Sequence, residues 1–358
     1  MRVLISGYYG FGNVGDEAIL SSIIGGLRER APQIGLTVLS AKPELTRETN
    51  DVRSVDRYDL AGIWNELDEA GVFISGGGTL FQDVTSARSF WYYCGLTALA
   101  LLFGKKVMIF AQGFGPLRGR LRRAFARWVL DRVHLITLRD QDSLDELKRL
   151  GVRNTNIHVT ADPTFCLKSL GPAEGRKLLG LEGVPVGKRL VGVALRSLRN
   201  RWPGSEEEFV RLLAGLLDQL KVKHGFEPVF LLFKCPEDMS KTKKVYDAMK
   251  ERGHIVFKIL QPEEMLSLFS CFQFVVAMRL HALIFAAQSG VPFLALSYDP
   301  KVAAFARSVG QPSLDLNEIS RLEAAMAETK PLAVVREELA ARAGRNFELF
   351  FETFGKTN

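Results

Sequence analysis

The segment FVVAMRLHALIFAAQSGVPFLALSYDPK, residues 274–301, decides the fold. It reads as two strand-to-helix junctions in succession. Phe274 to Met278 is a short, unbroken apolar run, the pattern of a parallel strand buried on both faces. Arg279 and His281 follow at once, and Ala282 to Ser289 has helical composition. Gly290 suits a helix C-cap, with Val291-Pro292 closing the turn. Phe293 to Ser297 is the next apolar strand, and Tyr298-Asp299-Pro300-Lys301 opens another helix. An arginine, a histidine and a lysine therefore stand just past the carboxyl ends of two strands expected to be neighbours. Open α/β sheets bind ligands at that edge, and helix N-termini add N–H donors for an anion.

Working outward, the same alternation fills the chain. Arg2 to Tyr8 reads as a strand, followed by a glycine-rich loop and a helix from about Glu17 to Arg30. Further strands are expected at Leu36–Ser40, Val72–Ser75, Lys106–Ala111 and His134–Leu138. The second half repeats the pattern, with strands at Leu190–Leu195, Pro228–Phe233 and Ile255–Phe257. Its helices are expected at Glu206–His224, Asp238–Arg252 and Pro262–Cys271. Strands alternating with helices predict βαβ units and parallel sheets. Residues 166–188, with Pro172, Pro185 and several glycines, read as a linker. The expected architecture is α/β, two Rossmann-like domains facing a cleft, at residues 1–165 and 189–330. The tail, residues 331–358, is helical in pattern and long enough to pack back on the N-terminal domain.

At 358 residues the chain is too long for one ordinary core and suits two domains. A formal net charge of +7 and a pI near 9.2 favour anionic partners. Phosphorylated metabolites, nucleic acid and an acidic membrane face all qualify, and charge does not choose among them. Cys94, Cys166, Cys235 and Cys271 show no metal-ligand spacing and read as free thiols, mostly buried, in a reducing cytoplasm. No metal site is expected. Met1-Arg2 runs straight into an apolar strand, so no secretory leader is expected. The longest apolar stretch, Tyr92 to Phe103, is too short to span a bilayer. A cytoplasmic protein, soluble or peripheral at the inner face of the membrane, is the expectation.

Gly10-Phe11-Gly12-Asn13-Val14-Gly15 formally matches a dinucleotide loop, but the next strand ends in Ser40-Ala41-Lys42, without the acid that holds a ribose. Asn13 and Asp16 are candidates for ligand contact or for capping the following helix. Gly76-Gly77-Gly78-Thr79 lacks the lysine of a P-loop. Its glycines exceed what a turn needs, which makes Gly77 and Gly78 candidates for close passage of a ligand; Gln82 and Asp83 follow. Arg139, after another strand, is either a surface pair with Asp140 or Asp142 or a site residue. Residues 117–132 carry six arginines among Leu121, Phe125, Trp128 and Val129. They form either a packed amphipathic helix or a basic helix against anionic lipid. In the opening segment, only His281 titrates near neutrality, which makes it the candidate general acid or base. Arg279 and Lys301 are candidate anion ligands.

Taken together, SGYYGFGNVGDEAIL, SGGGTLFQD, QGFGP, the LRD after a strand, and MRLHALIFAAQSGVPFLALSYDPKV resemble the polysaccharide pyruvyltransferase family, of the CsaB type. The resemblance runs from about residue 1 to 310. It implies a fold like that of GT-B glycosyltransferases and transfer of a pyruvyl group from phosphoenolpyruvate to a sugar as a 4,6-ketal. The implied acceptor is N-acetylmannosamine of a lipid-diphosphate-linked disaccharide, for secondary cell-wall polymers that anchor surface-layer proteins. It implies no cofactor and no nucleic-acid partner. The motif residues fall on His281, Arg139 and Lys301, with Arg279 in the same motif. A GT-B glycosyltransferase using a nucleotide sugar is the rival reading. A non-catalytic peripheral glycolipid-binding protein is the third.

Overall fold

The computed structural model describes residues 1–83, 86–197 and 205–355. The chain divides into two compact units. The first comprises Met1–Phe11, Asp16–Leu167 and the chain from Leu339 onward; the second comprises Gly12–Gly15 and Lys168–Glu338.

The first unit runs β1 (Arg2–Ser6), α1 (Val14–Arg30, from Asp16 on), β2 (Gly35–Ser40), α2 (Pro43–Asn50), β3 (Arg53–Asp56), α3 (Leu60–Glu69), β4 (Val72–Gly76) and α4 (Ala87–Leu102). It continues with β5 (Lys106–Gln112), α5 (Arg120–Leu130), β6 (Leu135–Leu138), α6 (Gln141–Leu150) and β7 (Ile157–Val159). The strands make one parallel sheet in the order β3-β2-β1-β4-β5-β6-β7. Apolar runs such as Val72–Ile74 and Val107–Ala111 are buried, as a sheet covered on both faces requires. Tyr93, Leu96, Ala126 and Val129 pack one face from α4 and α5. Ile19, Ile23 and Leu27 pack the other from α1, together with Phe347 and Phe350.

The second unit contains α7 (Pro172–Leu181), β8 (Arg189–Ala194), α8 (Glu206–His224), β9 (Phe226–Phe230), α9 (Glu237–Ala248), β10 (His254–Ile255), α10 (Pro262–Phe269) and β11 (Phe274–Ala277). Then come α11 (Leu280–Gln288), β12 (Phe293–Ser297), α12 (Pro300–Ser308), β13 (Ser313–Asp315) and α13 (Leu322–Ala327). Its parallel sheet has the order β10-β9-β8-β11-β12-β13. Helix α8 shows local rules in full: Ser205 accepts from the Glu208 N–H at its start, and Gly225 takes φ 67° at its end. The segment read as linker holds α7, which packs on α10 around Gly175, where a Cβ would overlap the Ser267 carbonyl.

The last helix, α14 (Ala333–Phe354), joins the first unit from Leu339 on. Asn346 is buried; its amide donates to Ala161 O at 3.1 Å, and its Oδ1 accepts from Thr160 Oγ1 at 2.7 Å. Phe347 lies 5.3 Å from Phe110 and packs against Gly26, where any Cβ would overlap its ring. Of the cysteines, only Cys94 is buried; Cys166 and Cys271 are half-buried and Cys235 is exposed, so the expected set of mostly buried thiols is corrected. Among the described residues no helix is long and apolar enough to cross a membrane. Truncating Phe347 to Ala leaves a cavity over β5 and should cost about 3–5 kcal/mol. Urea unfolding monitored by circular dichroism measures it, and a loss under about 1 kcal/mol would show that α14 does not support this core.

Candidate active site

In the second sheet the strand order reverses at β8, whose neighbours β9 and β11 lie on either side. Ligands of parallel α/β sheets bind at the carboxyl ends around such a point. Arg279 stands there as the N-cap of α11, and it is buried. Its guanidinium pairs with Asp238, whose side chain is fully buried in the first turn of α9. The other Asp238 oxygen accepts from the backbone N–H of Phe233 at 3.1 Å and of Lys234 at 2.9 Å. One carboxylate thus fixes Arg279 and the chain leaving β9. Nε of Arg279 is buried without a hydrogen-bond partner.

The loop Gly12–Gly15 attaches to the same place. Val14 N–H donates to Phe233 O at 2.9 Å, and Asn13 forms a β-bridge with Lys234. Gly15 then meets His281, in the first turn of α11; a Cβ on Gly15 would overlap the imidazole. The third glycine of the dinucleotide-like motif is therefore required by a histidine at the far end of the sequence. Asn13, Arg279 and His281 are brought together, with Asp238 as the hub.

Lys301 lies in the first turn of α12, on the neighbouring junction. The two helix N-termini read as anion donors differ. Asp299 already caps α12, accepting from Lys301 N–H at 3.1 Å, whereas α11 has no side-chain cap. Arg196, just past β8, donates to the Tyr298 hydroxyl at 2.5 Å and lies 5.3 Å from its ring. Burial pushes the Tyr298 hydroxyl above its ordinary value, while Arg196 and Arg279 oppose that shift. Asp238, Arg196 and Tyr298 escaped the sequence reading. Arg196 was detectable by the rule that found Arg279, a cation following an apolar strand. Asp238 was not, because its partner is 41 residues away.

In the first unit, Gly77 and Gly78 have φ +65° and +71°, which favours glycine at both positions. A Cβ on Gly77 would also strike Ile19, and one on Gly76 the Tyr9 hydroxyl. Gly76 and Gly77 thus have a packing cause, and Gly78 a conformational one. Asp16 approaches Gly78, its Oδ1 lying 3.2 Å from the Cβ position. The reading of Arg139 as a surface pair is corrected: the side chain is buried, donating to Asp162 at 3.2 Å and to Thr79 at 3.3 Å, with Asp140 at 3.5 Å. Gly113 makes room for it, since a Cβ there would crowd both Arg139 and Thr79. Within residues 117–132 the helix is α5, Arg120–Leu130, and many arginines of the segment are engaged: Arg122 with Asp83, Arg123 with two carbonyls, and Arg132 over Trp128. Arg118 and Arg120 are exposed. Trp64, Trp91 and Trp128, on α3, α4 and α5, are 59%, 40% and 37% exposed.

Residues 13–300 match the model of the family described as polysaccharide pyruvyl transferase. The chain belongs to this family. It is accordingly a transferase, with a role in pyruvyl transfer. It is 21% identical over 367 residues to the amylovoran biosynthesis protein AmsJ of Erwinia amylovora, covering 88% of this chain and 87% of AmsJ. Among solved structures, the UDP-GlcNAc 2-epimerase of Neisseria meningitidis bound to UDP-GlcNAc superposes with TM-score 0.63 at 12% identity, covering 100% of both chains. A putative UDP-N-acetylglucosamine 2-epimerase of Listeria monocytogenes gives 0.64 at 12% identity, covering 100% of this chain and 97% of the other. Anabaena HepE with UDP-glucose gives 0.60 at 12% identity, covering 99% and 95%. These likenesses show the fold, two parallel-sheet α/β domains of the GT-B kind.

Asp238→Ala strands the buried Arg279 charge and two backbone N–H groups, and should cost about 3–5 kcal/mol. Asp238→Asn keeps an acceptor for the backbone and should lose less. Chemical denaturation of the two variants tests the order; equal stability of Asp238→Ala and the parent chain would remove Asp238 as the hub.

Proposed function

We propose that this transferase moves the pyruvyl group of phosphoenolpyruvate onto a glycan as a cyclic ketal and releases phosphate. The observation that carries the reading is Arg279, held by a buried carboxylate beside a histidine packed on bare glycine backbone, in a chain of this family. In the proposed reaction His281 protonates the methylene carbon, and the adjacent carbon becomes cationic. A sugar hydroxyl attacks that carbon, giving up its proton. The carbon–oxygen bond to phosphate then breaks, phosphate leaves with the electron pair and takes a proton, and a second hydroxyl closes the ketal. Arg279 and Lys301 hold phosphate and carboxylate as fixed cations, with Asn13 beside them. Arg139, paired with Asp162, contributes a stationary positive charge and not a moving proton. Asp16, Gly77 and Gly78 are assigned to the acceptor.

The narrower acceptor, N-acetylmannosamine of a lipid-linked disaccharide in a CsaB-type cell-wall pathway, stays a proposal beside an exopolysaccharide acceptor. AmsJ, whose name refers to amylovoran biosynthesis, favours the latter. The rival nucleotide-sugar reading predicts stabilisation by UDP and none by phosphoenolpyruvate in a thermal-shift assay. His281→Ala should lower phosphate release by about 10²–10⁴-fold with phosphoenolpyruvate still raising the melting temperature. Gly15→Ala, which displaces the imidazole, should lower it in the same direction. Near-normal turnover by His281→Ala would overturn the assignment.

Peripheral membrane contact through residues 117–132 is also proposed, supported by the exposed Arg118 and Arg120 and the surface tryptophans. The protein should co-sediment with vesicles containing phosphatidylglycerol and less with pure phosphatidylcholine. An Arg118→Glu/Arg120→Glu variant should lose that difference; retention of it would exclude this helix.

A further inference from the structure

We infer that the first unit carries a pyranose-binding platform built around Arg57, where the sugar ring of the acceptor stacks. The inference rests on reading the chain as a glycan-modifying enzyme and adds where and by what chemistry the glycan is held. Arg57 follows β3 at the carboxyl edge of the sheet and is 5% exposed. Among the described residues no carboxylate lies within ion-pair distance of it. Its charge is met by rings: the guanidinium carbon lies 4.2 Å from the centroid of Tyr92, 5.0 Å from Phe11, 5.1 Å from Tyr58 and 5.2 Å from Tyr93. Its remaining polar contacts are few. Nη1 donates to the Tyr93 hydroxyl at 3.0 Å, and Nε is buried with no partner.

The cluster fastens several loop ends at once. Tyr93 donates to Gly7 O at 3.2 Å, Tyr92 donates to Arg57 O at 2.8 Å, and Arg57 N–H donates to Ser40 O at 3.0 Å. The ends of β1, β2 and β3 and the start of α4 are tied together through it. A buried cation is ordinarily matched by an anion; here aromatic faces serve instead, which suits a cation whose task is to hold rings. Phe11 also stacks on Tyr8, with centroids 4.2 Å apart and planes at 12°.

Tyr93 belongs to the core, and Tyr8 and Tyr92 pack against it, but the other rings of the cluster reach the surface. Tyr58 is 69% exposed, and Tyr8, Phe11 and Tyr92 are only partly buried. They stand at the ligand-binding edge of a parallel sheet and are fixed before any ligand arrives, so binding orders little further. Rigid, half-wet rings with hydroxyl tips fit a partner that is apolar on one face and polar at its rim, which describes a pyranose. An anion is the poorer occupant, because the guanidinium is enclosed by its rings and its Nε is buried.

Saturation-transfer NMR of the full chain with methyl glucoside, galactoside, mannoside and uridine tests the platform. Transfer to ring protons of at least one pyranoside is expected, with Tyr58→Ala and Phe11→Ala each reducing it and raising the acceptor KM by about tenfold. Both variants should retain stabilisation by phosphoenolpyruvate. Saturation transfer equal in variants and parent chain, transfer to uridine alone, or transfer to no pyranoside would each overturn the platform. Pyranoside binding in a protein that phosphoenolpyruvate does not stabilise would leave the platform standing and overturn the pyruvyl-transfer chemistry instead.

Discussion

The Asp238 side chain is fully buried, and burial strips a carboxylate of its water at a cost that only hydrogen bonds and a counter-charge offset. Three donors replace that water: the Arg279 guanidinium and the N–H groups of Phe233 and Lys234. The donors come from the ends of β9 and β11, the two strands that flank β8. The ion pair therefore spans the point where the strand order reverses and ties the chain leaving β9 to the start of α11. The loop Asn13–Gly15 hangs on Phe233 and Lys234, and His281 rests on Gly15. Arginine, histidine and the imported loop thus share one electrostatic anchor. Buried ion pairs add little net stability over apolar packing; this one fixes geometry.

The alternation of strand and helix was legible because buried parallel strands are short apolar runs, as at Val72–Ile74 and Phe274–Ala277. Strands β3, β7 and β13 were not, since sheet-edge and short strands such as Arg53–Asp56 carry charge and no apolar run. The positions of Arg279, His281 and Lys301 followed from strand ends alone. Their partners did not, because packing of Asp238 on Arg279 or Asp162 on Arg139 leaves no local periodic trace. Glycines that look alike in the sequence have different neighbours in the structure. Gly76 and Gly77 are small because Tyr9 and Ile19 press on them, while Gly15 is small because a candidate catalytic ring does.

The two sheets treat charge at their carboxyl edges differently. The second gathers Arg196, Arg279, His281 and Lys301, with Asp238 and Asp299 neutralising part of the field. The first keeps Arg139 closed in by Asp162 and Thr79 and wraps Arg57 in rings, so its edge presents hydroxyls and aromatic faces.

The surface placement of Trp64, Trp91 and Trp128 carries a spectroscopic consequence. Indoles that already face water emit at long wavelength in the folded chain, and unfolding moves those three emissions little. All three belong to the first unit, and the fourth tryptophan, Trp202, lies outside the described residues. Intrinsic fluorescence from α3, α4 and α5 is accordingly a poor gauge of whether the core is intact. It is a sensitive gauge of what touches those helices, because any body that dehydrates them shifts the emission to the blue while the fold stays as it was.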